Sequence, residues 1–179
     1  MSFKSPSQTL NFSLFEEACT TGNPKVVSEL LAKPNSRING RIKPDQEVGA
    51  WTPLVVAIES GYVGVVRAVL KAGASVEGIE STRGQTMISP LQAALVHANA
   101  AMVQLLIKKG AKVRPRPWHT WRRGQRRFGC SAYDYNVGKG GVVDPVVFAL
   151  ASQERELYEI LRQAKKDQEN IRLPAYWSV

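Results

Sequence analysis

The sequence predicts an all-α protein, a solenoid of about four stacked helix pairs with a long basic loop between the third and the fourth. Three observations carry this expectation. A segment recurs that opens on a turn, runs through two short helical patterns and closes at Gly. In both helices of each segment the apolar residues recur at helical spacing, so neither helix can bury its face without neighbours. At 179 residues and 44% hydrophobic content, the chain has the size of one compact domain or one short solenoid.

Taken in order, residues 1–12 read as a polar arm and residues 13–163 as the repeat domain. The first unit, near 13–34, is degenerate and rests on Phe15, Ala18, Gly22, Val26, Val27, Leu30 and Leu31. The clearest unit, near 51–74, opens at Thr52-Pro53-Leu54, breaks at Gly61-Tyr62 and resumes from Val63 to Lys71 before Ala72-Gly73-Ala74. Pro is tolerated in a first helical turn, where its missing N–H costs nothing, and Gly supplies the left-handed residue after a helix. The unit near 88–111 repeats this about 37 residues later with Ser89-Pro90-Leu91, Ala93-Ala94, Met102, Val103, Leu106, Ile107 and Lys109-Gly110-Ala111. A weaker unit near 143–163 uses Asp144-Pro145-Val146, Ala149, Leu157, Ile160 and Leu161, with Gln153 where the clearest copy has Gly61. Small residues at Ala57, Ala94 and Ala149 let the helices approach. Residues 112–142 form a basic insertion. Residues 164–179 form a tail that begins as a charged helical continuation and stops at Pro174.

The segments Thr52 to Ala74 and Ser89 to Ala111 resemble ankyrin repeats, whose signature is T-P-L-H-x-A followed by a helix ending in Gly and Ala. The resemblance covers residues 13 to 163 and implies paired antiparallel helices whose loops frame a concave binding face. Two departures stand out. Val55, Gln92 and Val147 replace the motif's His, which removes the hydrogen bonds that side chain gives to the turn. The connections from Lys33 to Ala50 and from Lys112 to Val143 are longer than the family needs.

In this family the contacts come from residues just before the T-P-L turn and just before the inter-helix Gly. Matched by motif position, the resemblance implies protein-binding roles for Trp51, Glu59 and Ser60, for Ile88, Val96 and His97, and for Val143 with Ala151 and Ser152. Trp51 is the best hot-spot candidate, because aromatic side chains bury large area at low entropic cost; its alternative role is to cover the long loop before it. The bland alternative for His97 is a surface imidazole or a hydrogen-bonded one.

The formal net charge of +9 is unevenly placed. No Asp or Glu occurs from Ser81 to Tyr133, a stretch holding Arg83, Lys108, Lys109, Lys112, Arg114, Arg116, Arg122, Arg123, Arg126 and Arg127, while the rest of the chain is close to neutral. Within the insertion, Arg114, Arg116, Arg122, Arg123, Arg126 and Arg127 alternate with Trp118, Trp121 and Phe128. Guanidinium groups pair with phosphate or carboxylate and aromatic faces stack on unpaired bases, so the segment suits an acidic protein surface or an RNA or other polyanion. The plain alternative is that the aromatics fold over the helix ends and the arginines are solvated. Pro115 and Pro117 predict an ordered base; Gly124, Gly129, Gly138, Gly140 and Gly141 predict a freer tip. At the far end of the tail, Tyr176 and Trp177 need cover, either as a cap on the last unit or in a partner.

An enzyme needs a nucleophile, base or metal set, and two histidines and two cysteines make a thin inventory. His119 and Cys130 share a loop but lack a third orienting group, and Gly138-Lys139-Gly140-Gly141 lacks phosphate-loop spacing. No run approaches the ~20 apolar residues of a membrane span, no apolar signal run stands at the amino terminus, and Cys19 and Cys130 occupy dissimilar settings. The expectation is an intracellular protein, cytoplasmic or nuclear, with no cofactor, metal, membrane or small-molecule substrate. Its function would be that of an adaptor or regulatory subunit binding another protein with an acidic surface; the alternative is an RNA or polyanion-binding scaffold.

Overall fold

A computed structural model describes residues 12–33, 38–40, 52–78, 89–117 and 142–170. The described residues form eight helices: α1 (Phe12–Thr20), α2 (Pro24–Leu31), α3 (Pro53–Glu59), α4 (Val63–Lys71), α5 (Pro90–Val96), α6 (Ala100–Lys108), α7 (Pro145–Ala151) and α8 (Arg155–Asn170). Two short strands, β1 (Arg116–Pro117) and β2 (Val142–Val143), pair antiparallel with Arg116 opposite Val143.

Local chemistry sets the helix starts. Pro24, Pro53, Pro90 and Pro145 each open a helix, where the absent N–H is no loss. The preceding side chains cap the free amides: Asn23 accepts from Lys25 and Val26, Thr52 from Val55, and Asp144 from Val146. At Ser89 the cap is reciprocal, since Ser89 Oγ accepts from the Gln92 amide at 3.2 Å and Gln92 Oε1 accepts from the Ser89 amide at 2.9 Å. The turn at Gln92 is therefore hydrogen-bonded after all. Its side-chain carbonyl reaches the backbone amide that opens the helix, which the aliphatic Val55 and Val147 cannot do.

The two helices of each unit are joined through one residue in the left-handed region, at Gly22 (φ 69°), Gly61 (φ 79°), Ala98 (φ 47°) and Gln153 (φ 60°). Gln153 takes the same conformation as Gly61, so the fourth unit turns like the others without a glycine. A Cβ on Gly22 would lie 2.9 Å from the Tyr62 ring, so this turn also forms the close contact between the first and second units. The second helices α4 and α6 close on Gly73 and Gly110 at positive φ.

These turns fold the helices into antiparallel pairs, and the pairs stack in two rows. α1, α3, α5 and α7 pack each against the next, as do α2, α4, α6 and α8. One continuous core results, from Phe15 and Val27 through Ile58, Val65 and Val69 to Leu95, Met102 and Leu106, and on to Phe148, Leu157 and Leu161. α8 runs on to Asn170, so the boundary expected at residue 163 falls inside a helix.

Two changes probe this architecture by chemical denaturation. Gly22→Ala must place a side chain at positive φ against Tyr62 and is expected to cost about 1–2 kcal/mol or more. Gln153→Gly is expected to stabilise by roughly 0.5–1 kcal/mol, the left-handed strain relieved less the added freedom of the unfolded chain.

Candidate functional site

The row of first helices ends along one edge of the stack. Glu59 is the last residue of α3 and Ser60 its C-cap; Val96 and His97 hold the corresponding places on α5. The structure joins two of these residues, with His97 Nε2 2.9 Å from Glu59 Oε1. Their side chains keep 32% and 20% exposure, so the pair is reachable from solvent. Ser60 Oγ is turned inward and donates to the Ala57 carbonyl at 2.7 Å, and Val96 is half-buried against the core. Val143 sits in β2, opposite Arg116, and also packs on the core. Ser152 Oγ is buried and has no hydrogen-bond partner among the described residues. Trp51 and Ile88 lie outside the described residues.

The base of the basic insertion is held from two sides. Glu77, in the turn after α4, accepts from the Lys112 amide at 2.7 Å and from Arg114 Nη2 at 3.3 Å, and its carboxylate also pairs with Arg116. Gln168 on α8 receives the Val113 amide at 2.9 Å and donates to the Ala111 carbonyl at 2.9 Å. Arg114 and Arg116 are thus already engaged by a carboxylate of the preceding unit. A third clamp, Asn39, uses the same amide chemistry on the second unit, accepting from the Ser75 amide at 2.7 Å and donating to the Gly73 carbonyl at 3.3 Å. Trp118, Trp121, Arg122, Arg123, Arg126, Arg127, His119 and Cys130 lie outside the described residues, between β1 and β2.

Below this base, a cleft of about 520 Å³ opens between the end of α6 and α8, lined by Ile107, Lys112, Val113, Arg114, Lys165 and Gln168 among others. Two of its three cations are paired, Arg114 with Glu77 and Lys165 with Asp144, where Nζ lies 2.7 Å from Oδ2. Burial raises the Asp144 pKa, but the Lys165 hydrogen bond, the Val146 and Val147 amides and the Lys165 charge outweigh it and hold it below its ordinary 3.8. Lys165 is pushed above its ordinary 10.5, chiefly by the hydrogen bond to Asp144 and against the effect of burial. At the other end of the stack, burial, with help from the Glu16 charge, pushes the Cys19 thiol up to about 12, which keeps it protonated and unreactive. Among the described residues no three His, Cys, Asp or Glu side chains gather as a metal would require, and no helix is long and apolar enough to cross a membrane.

Of the sequence candidates, the structure pairs Glu59 with His97 and joins Arg114 and Arg116 to Glu77; Glu77, Gln168 and the Asp144–Lys165 pair were not among those candidates. Glu77 was within reach, because it precedes Arg114 by 37 residues, one repeat length, so the two occupy equivalent places in adjacent units. No family model matches the chain, and no curated protein matches it in sequence.

Two measurements follow from this geometry. Asp144 has a lowered pKa, so its pairing stabilises the fold fully above pH 3.8 and is lost as pH falls below that value; Lys165 has a raised pKa, so its share is full below 10.5 and lost as pH rises beyond. The Tm gap between the native chain and Asp144→Asn is therefore expected to be widest between these values and to narrow on either side. In hydrogen exchange, Gln168→Ala is expected to speed exchange at the Val113 amide roughly tenfold or more while leaving the α3 and α5 amides unchanged.

Proposed function

We propose that the chain is an ankyrin-repeat protein acting as a non-catalytic protein–protein interaction module, an adaptor or regulatory subunit. It binds through the edge where its first helices end and through the basic aromatic insertion. The observation that carries this is the Glu59–His97 pair: two side chains from helix ends of adjacent units meet at 2.9 Å and remain reachable by a partner. Four helix pairs with a repeated left-handed turn, stacked in two rows, are consistent with the ankyrin arrangement.

The partner surface is acidic. Glu77 offsets part of the charge at the base of the insertion by pairing with Arg114 and Arg116, whereas from Trp118 to Tyr133 the sequence holds Arg122, Arg123, Arg126 and Arg127 with no carboxylate at all. In this view Trp51 and Ile88, which precede α3 and α5 in the sequence, supply apolar contact, as do Trp118 and Trp121 on the insertion. A second reading, binding of RNA or another polyanion, is favoured by the interleaving of those arginines with Trp118, Trp121 and Phe128.

Capture from source-cell lysate, with and without nuclease, separates the two. The adaptor reading predicts a discrete protein that survives nuclease and is lost on Glu59→Lys combined with His97→Ala. The polyanion reading predicts nuclease-sensitive capture. It also predicts that the salt slope of log K falls by roughly three when Arg122, Arg123, Arg126 and Arg127 are all changed to Gln.

A further inference from the structure

The fourth unit departs from the others at its outer end. Three residues before the left-handed turn residue stand Cys19, Ile58, Leu95 and Leu150; the first three are 0%, 0% and 2% exposed, whereas Leu150 is 61% exposed. Six residues before it, Val55 and Gln92 are 2% and 6% exposed and Val147 is 59% exposed; the first unit has the exposed but charged Glu16 there, so the fourth is the one that exposes an apolar side chain at this place. The cause is positional. α1, α3 and α5 each have the next first helix packed against them, and α7 has none among the described residues. Val147 and Leu150 lie one helical turn apart on one face, so together they form a small unpartnered apolar patch. On the second helices the sequence has adapted: Leu70 and Ile107 are succeeded at the equivalent place by Arg162, about half exposed. The end of the stack is therefore polar on α8 and apolar on α7.

We propose that residues 171–179 of this chain fold back over α7 and cover Val147 and Leu150 with Tyr176 and Trp177. The tail lies outside the described residues, and its reach matches the distance. The Lys165–Asp144 contact sets Lys165 level with the start of α7, so Asn170 stands about 7–8 Å beyond that start at 1.5 Å per residue. Val147 and Leu150 lie about 4–9 Å along α7, and neighbouring helix axes are about 8–10 Å apart, so the path from Asn170 is roughly 15–20 Å. Tyr176 and Trp177 follow Asn170 by six and seven residues, which span up to about 20–25 Å when extended. Pro174 between them keeps the segment out of a helix that would carry it away. Two aromatic rings bury about 150–250 Å² each, enough for two aliphatic side chains. The patch is too small for a second copy of the chain, whose stable association needs more than about 1,000 Å².

The test uses the full chain. Leu150→Ser is expected to lower Tm by roughly 4–8 °C with the native tail and to leave it unchanged when Tyr176→Ser and Trp177→Ser are also present. In a Cys130→Ser background, with Cys19 buried and unreactive, Val147→Cys paired with Ser178→Cys is expected to form an intramolecular disulfide on mild oxidation. The pair Gln104→Cys with Ser178→Cys, placed on the exposed face of α6, is expected not to. Additive Tm effects, or equal cross-linking of the two pairs, would overturn the proposal. So would a full-length dimer that Leu150→Ser converts to monomer, since a second copy would then be the cover.

Discussion

Every other feature of the fold depends on the reversal of the chain between the two helices of a unit. One residue in the left-handed conformation lets the second helix return antiparallel after a gap of only three residues. In the first unit the Asn23 amide bonds the Ala18 carbonyl across this turn, and Asn99 to Ala94 and Glu154 to Ala149 repeat the same span in the third and fourth. Glycine takes the conformation without strain at Gly22 and Gly61, whereas Ala98 and Gln153 meet a cost of about 1–2 kcal/mol each. That cost is tolerated because a helix that failed to turn would leave Met102 and Leu106, or Leu157 and Leu161, in water. The antiparallel pair then has two apolar sides, and stacking is the only way to bury both.

Stacking also decides where variation is permitted. Helix interiors are constrained by two neighbours, and the described connector residues join the core at a few points, among them Ile38, Val76, Ala111 and Val113. The structure shows how a lengthened connector is kept in register: Asn39 and Gln168 each clasp a backbone amide and carbonyl with one side-chain amide, and Glu77 spans from one connector to the next. A primary amide carries both a donor and an acceptor, so one residue satisfies two backbone groups that would otherwise rely on water. β1 and β2 then bring the two ends of the 118–141 segment side by side. The insertion is an outgrowth of an ordered base and leaves the stacking of α6 on α8 intact.

The periodic part of this architecture was legible in the sequence. The Pro-opened helices, the Gly breaks and the apolar spacing specify the helix pairs, and α4 spans the expected Val63 to Lys71. What escaped was non-periodic. Gln92 counted as a missing motif residue, yet its side chain bonds the turn from the place where the motif has His. Gln168 lies 57 residues from the carbonyl that it binds, a separation set by the length of the insertion and by no repeat. Glu77 and Arg114 obey the repeat, but Glu77 stands just before the acid-free stretch that contains Arg114, so charge composition sets the two apart. Of the candidate contacts, Glu59 and His97 meet, while Trp51 and Ile88 fall outside the described residues.

The energetics of the charged pairs bear on how such a surface would select a partner. Arg114 is half exposed and Glu77 about a third, and exposed ion pairs of this kind contribute little to stability because water and salt screen them. Under the proposed function, a partner carboxylate that replaces Glu77 at Arg114 therefore loses little by breaking that internal contact. It also gains little by making the new one. In the proposed complex, exposed charge of this kind would steer the encounter and fix orientation, which act on the association rate, rather than hold the partners together. Under the proposed function, durable affinity has to come from groups that are dry once bound, and the sequence candidates for these are aromatic and aliphatic: Trp51, Ile88, Val96, Trp118 and Trp121. A surface of the proposed kind would discriminate twice, first by the sign of the approaching charge and then by the shape of the apolar contact, and the two steps can be altered by separate substitutions.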